Sequence, residues 1–276
     1  MNKPEIKCCM LLIILSIVAF ISSMTVISIR LNDDSNTQDG NKILDAIVID
    51  NDDNKNVNIE IPDSNNDSKE EEKIKKPELM LKIDALKKEN SEVVGWIEIE
   101  DTKINYPVMQ GVDNEFYLSH NYKKEKNIEG SIFVDKSYDF SKPSTNLLIY
   151  GHRYPGGTVF EDLKKYTDES FYKNHQIIKF TTSNEESEYE IIAVFLSRVY
   201  YKNETDVFRY YYFIDAANEE EFNYYINNSK ASSLYDTGKT AVYGDELMTL
   251  STCAHYTENG RLAIVAKKVS SVKYKD

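Results

Sequence analysis

The residues best suited to chemistry lie near the C-terminus, in TLSTCAHYTENGRLAIVAKKV, where Cys253 closes an apolar run and Arg261 opens the next one eight residues on. A thiolate is a strong nucleophile, and a guanidinium across a short loop can steady either that thiolate or an oxyanion. The plainer reading of Cys253 is a small apolar filler. A cysteine nucleophile also needs a proton shuttle, and the chain has 4 histidines. His152 ends NLLIYGH, where Gly151 lets the chain turn and RYPGGT follows as an exposed rim. His255, two residues beyond Cys253, would share its strand face but stands past the strand end in a polar loop. His120 and His175, in polar segments beside aromatic residues, read as surface histidines.

These groups need a scaffold that brings strand ends together. Apolar or alternating runs bounded by turn residues fall at 93–99, 104–109, 131–134, 147–150, 177–181, 189–196, 247–252 and 262–269. Eight short strands are expected to close into a barrel, which hides the edges of an antiparallel sheet and can fill its interior with side chains. Leu79, Ile83 and Leu86, spaced for one helical face behind Pro77, predict an opening helix. Further helices are expected at 158–172 and 215–227, the second inside a tyrosine-rich insertion over 200–242 that precedes the strand carrying Cys253. The fold class is thus mainly β with helices.

Ahead of this domain, residues 8–29 form an uncharged apolar run of 22 residues, long enough at about 1.5 Å per residue to cross a bilayer core of about 30 Å. Its length favours an uncleaved anchor over a signal peptide. Lys3 and Lys7 precede it, and the first ionic residues after Arg30 are Asp33 and Asp34, a bias that predicts the N-terminus in the cytoplasm and the rest outside the cell. Cys8 and Cys9 then sit at the inner membrane edge, and Cys253 is left as a lone external thiol. Residues 31–77, with 13 acidic and 6 basic side chains, cannot bury enough apolar surface to order themselves and read as a flexible acidic linker. Residues 78–276 remain for one compact domain. The net charge of −13, from 33 basic and 46 acidic side chains, opposes a phosphate backbone and argues against a nucleic-acid partner. With 3 cysteines the chain is no disulfide scaffold. Zinc-type Cys/His spacing and a phosphate-binding glycine loop are both missing from the sequence, so no metal or cofactor is implied.

TLSTC with a following Arg, and a YGH about a hundred residues upstream, resemble the sortases, membrane-anchored cysteine transpeptidases of Gram-positive cell surfaces. The likeness spans roughly residues 78–270. The opening helix before VVGWIEI, the run TKINYPVMQGVDNEFYLSH, the GSIFVD strand and the helix-bearing insertion are similar to class B members. The resemblance implies a closed eight-stranded sortase-type barrel, with Cys253 as nucleophile, His152 as general acid and base, and Arg261 as the cation holding substrate and oxyanion. It further implies a substrate groove lined by Asn114, Leu118, Tyr150, Ser251 and Thr252. The implied partners are sorting-signal peptides of surface proteins and an amine of a peptidoglycan precursor, with the enzyme held at the cell membrane by its single span. Two departures, Ala254 after the cysteine and the Arg-Tyr-Pro-Gly-Gly loop after His152, bear on which sorting signal is read. A secreted cysteine hydrolase, a pilus-polymerising sortase and a catalytically silent wall-binding module are the other readings.

Overall fold

The structure is a computed structural model that describes residues 76–274 apart from 155, 157, 255 and 256. The apolar run at 8–29, most of the acidic linker and His255 lie outside the described residues. Among those described, no helix is long and apolar enough to cross a membrane.

Ten strands form in chain order: β1 (Val93–Glu98), β2 (Asn105–Met109), β3 (Ile132–Val134), β4 (Asn146–Tyr150), β5 (Arg153–Tyr154), β6 (Thr158–Val159), β7 (Ile177–Thr181), β8 (Glu185–Arg198), β9 (Leu247–Cys253) and β10 (Gly260–Lys273). Eight of them close a barrel in the order β1-β2-β3-β4-β9-β10-β8-β7, while β5 and β6 pair as a separate hairpin. The expected closure is therefore present, but the sheet is mixed: β2 runs parallel to β3 and β4 parallel to β9. Such pairs need long crossovers, and the β4-to-β9 crossover contains both the β5–β6 hairpin and the tyrosine-rich insertion. Strand β4, sequence NLLIY, is buried on both faces until its last residue, as a central strand with a parallel partner should be.

Among the described residues three α-helices accompany the barrel: α1 (Glu78–Glu89), α2 (Glu169–Asn174) and α3 (Glu219–Ala231). In α1 the buried positions are Met80, Ile83 and Leu86, so Met80 takes the place that spacing assigned to Leu79. The single helix expected at 158–172 is instead three pieces. Thr158 and Val159 pair with β5, Glu161–Thr167 forms a 3-10 helix, and α2 begins afresh behind Asp168, whose carboxylate accepts the Ser170 N–H. An Asp that caps one helix competes with continuing the previous one; Phe160, Leu163 and Tyr166 are nonetheless buried, at the spacing that suggested a single helix. Helix α3 starts four residues later than expected, at Glu219, behind Asn218, whose side chain caps the Glu221 N–H.

Strands β8 and β10 outrun their predicted ends because charged residues there still pair, with Lys268 Nζ 2.5 Å from Glu185. Along β9 and β10, Met248, Leu250, Leu262 and Ile264 point into the barrel core, whereas Ala263 and Val265 point outward to a second apolar layer. That layer is Tyr210, Phe222, Tyr225 and Ile226 of the insertion, which roofs the outer wall of β9 and β10. Burying each such aromatic stabilises the roof by about 1.5–3 kcal/mol.

Candidate active site

The site is built on the outer face of the β4–β9–β10 wall. Because side chains alternate, Thr249, Ser251 and Cys253 of β9 share one face, and their register partners on β10 are Val265, Ala263 and Arg261. Cys253 and Arg261 are thus directly opposed across the antiparallel pair. The connection between the strands closes with Asn259 in the left-handed region, at φ 55°, and the Ala254 N–H donates to the Gly260 carbonyl at 3.0 Å. Arg261 Nη1 donates to the carbonyls of Asn259 and Gly260 at 3.2 and 2.9 Å, which ties one of the three guanidinium nitrogens to the turn next to the half-buried Cys253.

His152 arrives from the neighbouring strand. Tyr150 is the register partner of Ser251 on the parallel β4–β9 pair, and the Gly151 N–H still donates to the Ser251 carbonyl at 3.2 Å, so the next residue emerges beside Cys253. A Cβ at Gly151 would lie 2.6 Å from the Phe160 ring, so glycine serves here for close approach rather than for the turn expected of it. The Phe160 N–H donates to the His152 carbonyl at 2.9 Å, and the imidazole Nε2 is 2.9 Å from the carbonyl oxygen of Leu118.

The imidazole and the thiol are neighbours at this rim, and hydrogen bonding between them is the largest influence on the protonation of each. That bond holds the Cys253 thiol below its ordinary pKa against the opposing effect of burial, and the charge of Arg261 adds to the lowering. It likewise raises the His152 imidazole against burial, with the Leu118 carbonyl helping and Arg261 opposing. Both shifts favour a thiolate beside an imidazolium, away from the neutral pair that unperturbed values of about 8.5 and 6.5 would give at pH 7.

The residues expected to line the groove divide. Leu118 is 37% exposed and stands beside His152 through its carbonyl. Asn114 and Tyr150 converge on Asp135, a carboxylate only 5% exposed: Asn114 Nδ2 donates to it at 2.8 Å and the Tyr150 hydroxyl at 3.1 Å. Both side chains therefore brace the loop after β3, and burial together with Asp135 raises the Tyr150 phenol far above its usual pKa. The Ser251 hydroxyl shares a 2.7 Å hydrogen bond with the Tyr210 hydroxyl beneath the roof. Thr252 is the register partner of Leu262, on the face opposite Cys253, and its buried hydroxyl has no partner among the described residues. Its side chain is not brought to the site, because a one-residue step along a strand reverses the face. Ala254 packs into the barrel core, which ties that departure from the class B pattern to packing.

His120 and His175 are half-buried, each stacked on the Phe four residues before it at 4.0 Å with Nδ1 2.8 Å from that Phe carbonyl, and His175 Nε2 is 3.1 Å from an Asp101 carboxylate oxygen. Sequence reasoning missed Asp135 and Tyr210, and read Phe160 only as an apolar helix position rather than as the residue packed against Gly151 and His152. The acid directly after the apolar run SIFV was a usable signal for Asp135. Tyr210, one of three consecutive tyrosines, had no signal that separated it from its neighbours.

Comparison with known proteins places the chain in a family. The sortase domain model matches residues 97–269. Sortase B of Listeria monocytogenes is 37% identical over 189 residues, covering 67% of this chain and 73% of the relative. A Staphylococcus aureus sortase B–substrate complex superposes with TM-score 0.62 at 29% identity, covering 70% of this chain and 86% of that one. Clostridium perfringens sortase B gives 0.62 at 31% identity over 68% of this chain and 99% of its own. A thiol–imidazole pair and an opposed guanidinium on the wall of an eight-stranded barrel thus coincide with matches over the same residues, and the chain belongs to the sortase family, as a class B cysteine transpeptidase of cell-wall anchoring.

Proposed function

We propose that Cys253 is the nucleophile, His152 the general acid and base, and Arg261 the oxyanion-holding cation of this transpeptidase. The observation that carries the reading is the convergence at one strand end, where Arg261 is the register partner of Cys253 and the Gly151 N–H bonds the Ser251 carbonyl, so that His152 emerges beside the thiol. The thiolate attacks the carbonyl carbon of a threonine in a sorting-signal peptide. The peptide C–N bond breaks, imidazolium gives its proton to the departing amine, and a thioester remains. An amine of a peptidoglycan precursor then attacks the thioester, its proton passes to His152, and the C–S bond breaks to restore the thiolate. Arg261 faces the charge that develops on oxygen in both tetrahedral states, a contribution worth about 3–4 kcal/mol per well-placed donor.

The solved complex of the S. aureus relative with a substrate supports the same class of peptide for this chain. The exposed strip around Leu118 beside His152 is the wall against which that peptide would lie. As a cell-envelope enzyme, the protein is held at the membrane by the apolar run at 8–29, with 31–77 as a linker and 78–276 as the catalytic domain. Mass spectrometry of products from a library of Pro-x-Thr peptides, incubated with the enzyme and an amine acceptor, tests the reading. An amide to the acceptor amine is expected, passing through a thioester on Cys253. Release of the free acid alone in excess amine would make the protein a hydrolase, and a thioester elsewhere would overturn the assignment of the nucleophile.

A further inference from the structure

The Cys253–His152–Arg261 set contains no carboxylate to orient the imidazole, yet the ring is not left to itself. We propose that the main-chain carbonyl of Leu118 holds His152 as its Nε2–H tautomer, and that Tyr117 is the positioning residue that keeps this carbonyl in place. The inference rests on the proposed roles of Cys253 and His152.

The 2.9 Å contact of Nε2 with Leu118 O has one possible sense, because a carbonyl oxygen only accepts. Nε2 must carry the proton, which leaves Nδ1 as the nitrogen that exchanges a proton with the thiol. In the imidazolium both nitrogens are protonated and the Leu118 bond persists, so the ring need not reorient during either proton transfer.

Leu118 lies in the 3-10 turn Phe116–Leu118, on the connection between β2 and β3, and that turn is tied down on the side away from His152. The Tyr117 ring is fully buried, and its hydroxyl donates to Glu92 Oε2 at 2.6 Å and accepts from Asn90 Nδ2 at 2.9 Å. Asn90 and Glu92 belong to the junction of α1 and β1, so the imidazole's acceptor is braced against the opening of the domain. Glu92 is held in turn by Lys124 at 3.0 Å. On the other side the Ser131 N–H donates to the Tyr117 carbonyl at 2.8 Å. Gly130, at φ 64°, presses on the same peptide: a Cβ there would fall 2.5 Å from Tyr117 O and 2.7 Å from Leu118 O. Leu118 O thus sits between a glycine that admits no side chain and a tyrosine anchored at its far end. The ionisable groups facing His152 are Cys253 from β9 and Arg261 from β10, and neither fixes which nitrogen bears the proton of the neutral ring.

The test reads the imidazole directly. Long-range proton–nitrogen NMR correlations of His152 separate the two tautomers, and recording them in a Cys253→Ala background removes the sulfur's influence. The Nε2–H form is expected in that background. Tyr117→Phe, which keeps the ring and leaves Glu92 paired with Lys124, is expected to mix the tautomers and lower the His152 pKa. In the enzyme with Cys253 intact, it should reduce kcat about tenfold, the effect of loosening one hydrogen bond, with the KM for a sorting peptide unchanged. Gly130→Ala, which displaces the Leu118 carbonyl, should act in the same direction, and Tyr117→Phe stands alone if that variant does not fold. An Nδ1–H tautomer in the Cys253→Ala protein overturns the proposal, as does an unchanged tautomer and pKa in the folded Tyr117→Phe variant. The NMR arms need no turnover, so a failure of Cys253 as nucleophile would appear in thioester formation while leaving the tautomer result standing.

Discussion

The two faces of β9 differ in what they do. The inner face carries Met248 and Leu250, which pack into the barrel core together with Ala254 just beyond the strand, and the Thr252 hydroxyl is buried on the same side. The outer face is a ladder of polar groups, each answered from another element. Thr249 shares 2.6 Å with the Tyr225 hydroxyl and donates to Asn146 at 2.8 Å, Ser251 shares 2.7 Å with Tyr210, and Cys253 pairs with His152. One strand therefore separates stability from chemistry by a single-residue alternation. Its outer side holds the proposed nucleophile just beyond two hydroxyls that are each hydrogen-bonded to a tyrosine of the insertion.

That contrast can be broken by experiment. Cys253→Ala should lower thioester formation more than about 10³-fold while leaving thermal unfolding unchanged within error, since a nucleophile contributes to turnover far more than to packing. A normal rate would remove Cys253 from the chemistry. Arg261→Lys should cost about 10²-fold in kcat, because a point charge does not replace a planar fork clasped on the Asn259 and Gly260 carbonyls. Near-wild-type turnover would reduce Arg261 to closing the turn. On the inner face, Leu250→Ala should lower unfolding free energy by about 2–5 kcal/mol in denaturant titrations, with the folded fraction keeping its specific activity. Loss of activity without loss of stability would show that the faces are not independent.

The smallest effect is on pH dependence. With the Cys253 thiol lowered and the His152 imidazole raised, alkylation of Cys253 should begin at a lower pH than that of a free cysteine. For kcat/KM, the acid limb should lie below the ordinary thiol pKa, where the thiolate forms. The alkaline limb should lie above the ordinary imidazole pKa, where the general acid is lost. His152→Ala removes the main cause of the lowered thiol, so its alkylation profile should move to higher pH. An unmoved profile would mean that Arg261 alone sets the thiol.

Much of the site was legible because it is written in local patterns. Cys253 and Arg261 bracket one short connection between two strands with period-2 alternation, and such a pair must oppose each other once the hairpin closes. His152 was legible as the end of an apolar run, although bringing it to Cys253 needed the parallel pairing of β4 with β9 across 96 intervening residues, from 151 to 246. The groove residues were less legible. Asn114 and Tyr150 have the right types for substrate contacts, but a buried carboxylate at Asp135 engages both, and only the fold brings β2's following loop, β3 and β4 to that point. The helix expected at 158–172 failed because apolar spacing reports burial and cannot see that Asp168 restarts the chain.

By itself the sequence determined which side chains are chemically able and which runs become strands, since those properties reside in residue type and in spacing along the chain. The tertiary structure alone decided which partners those side chains acquire. The clearest case is the Leu118 carbonyl on His152: every residue has a carbonyl, so no residue type marks the one that a fold places 2.9 Å from an imidazole 34 positions away.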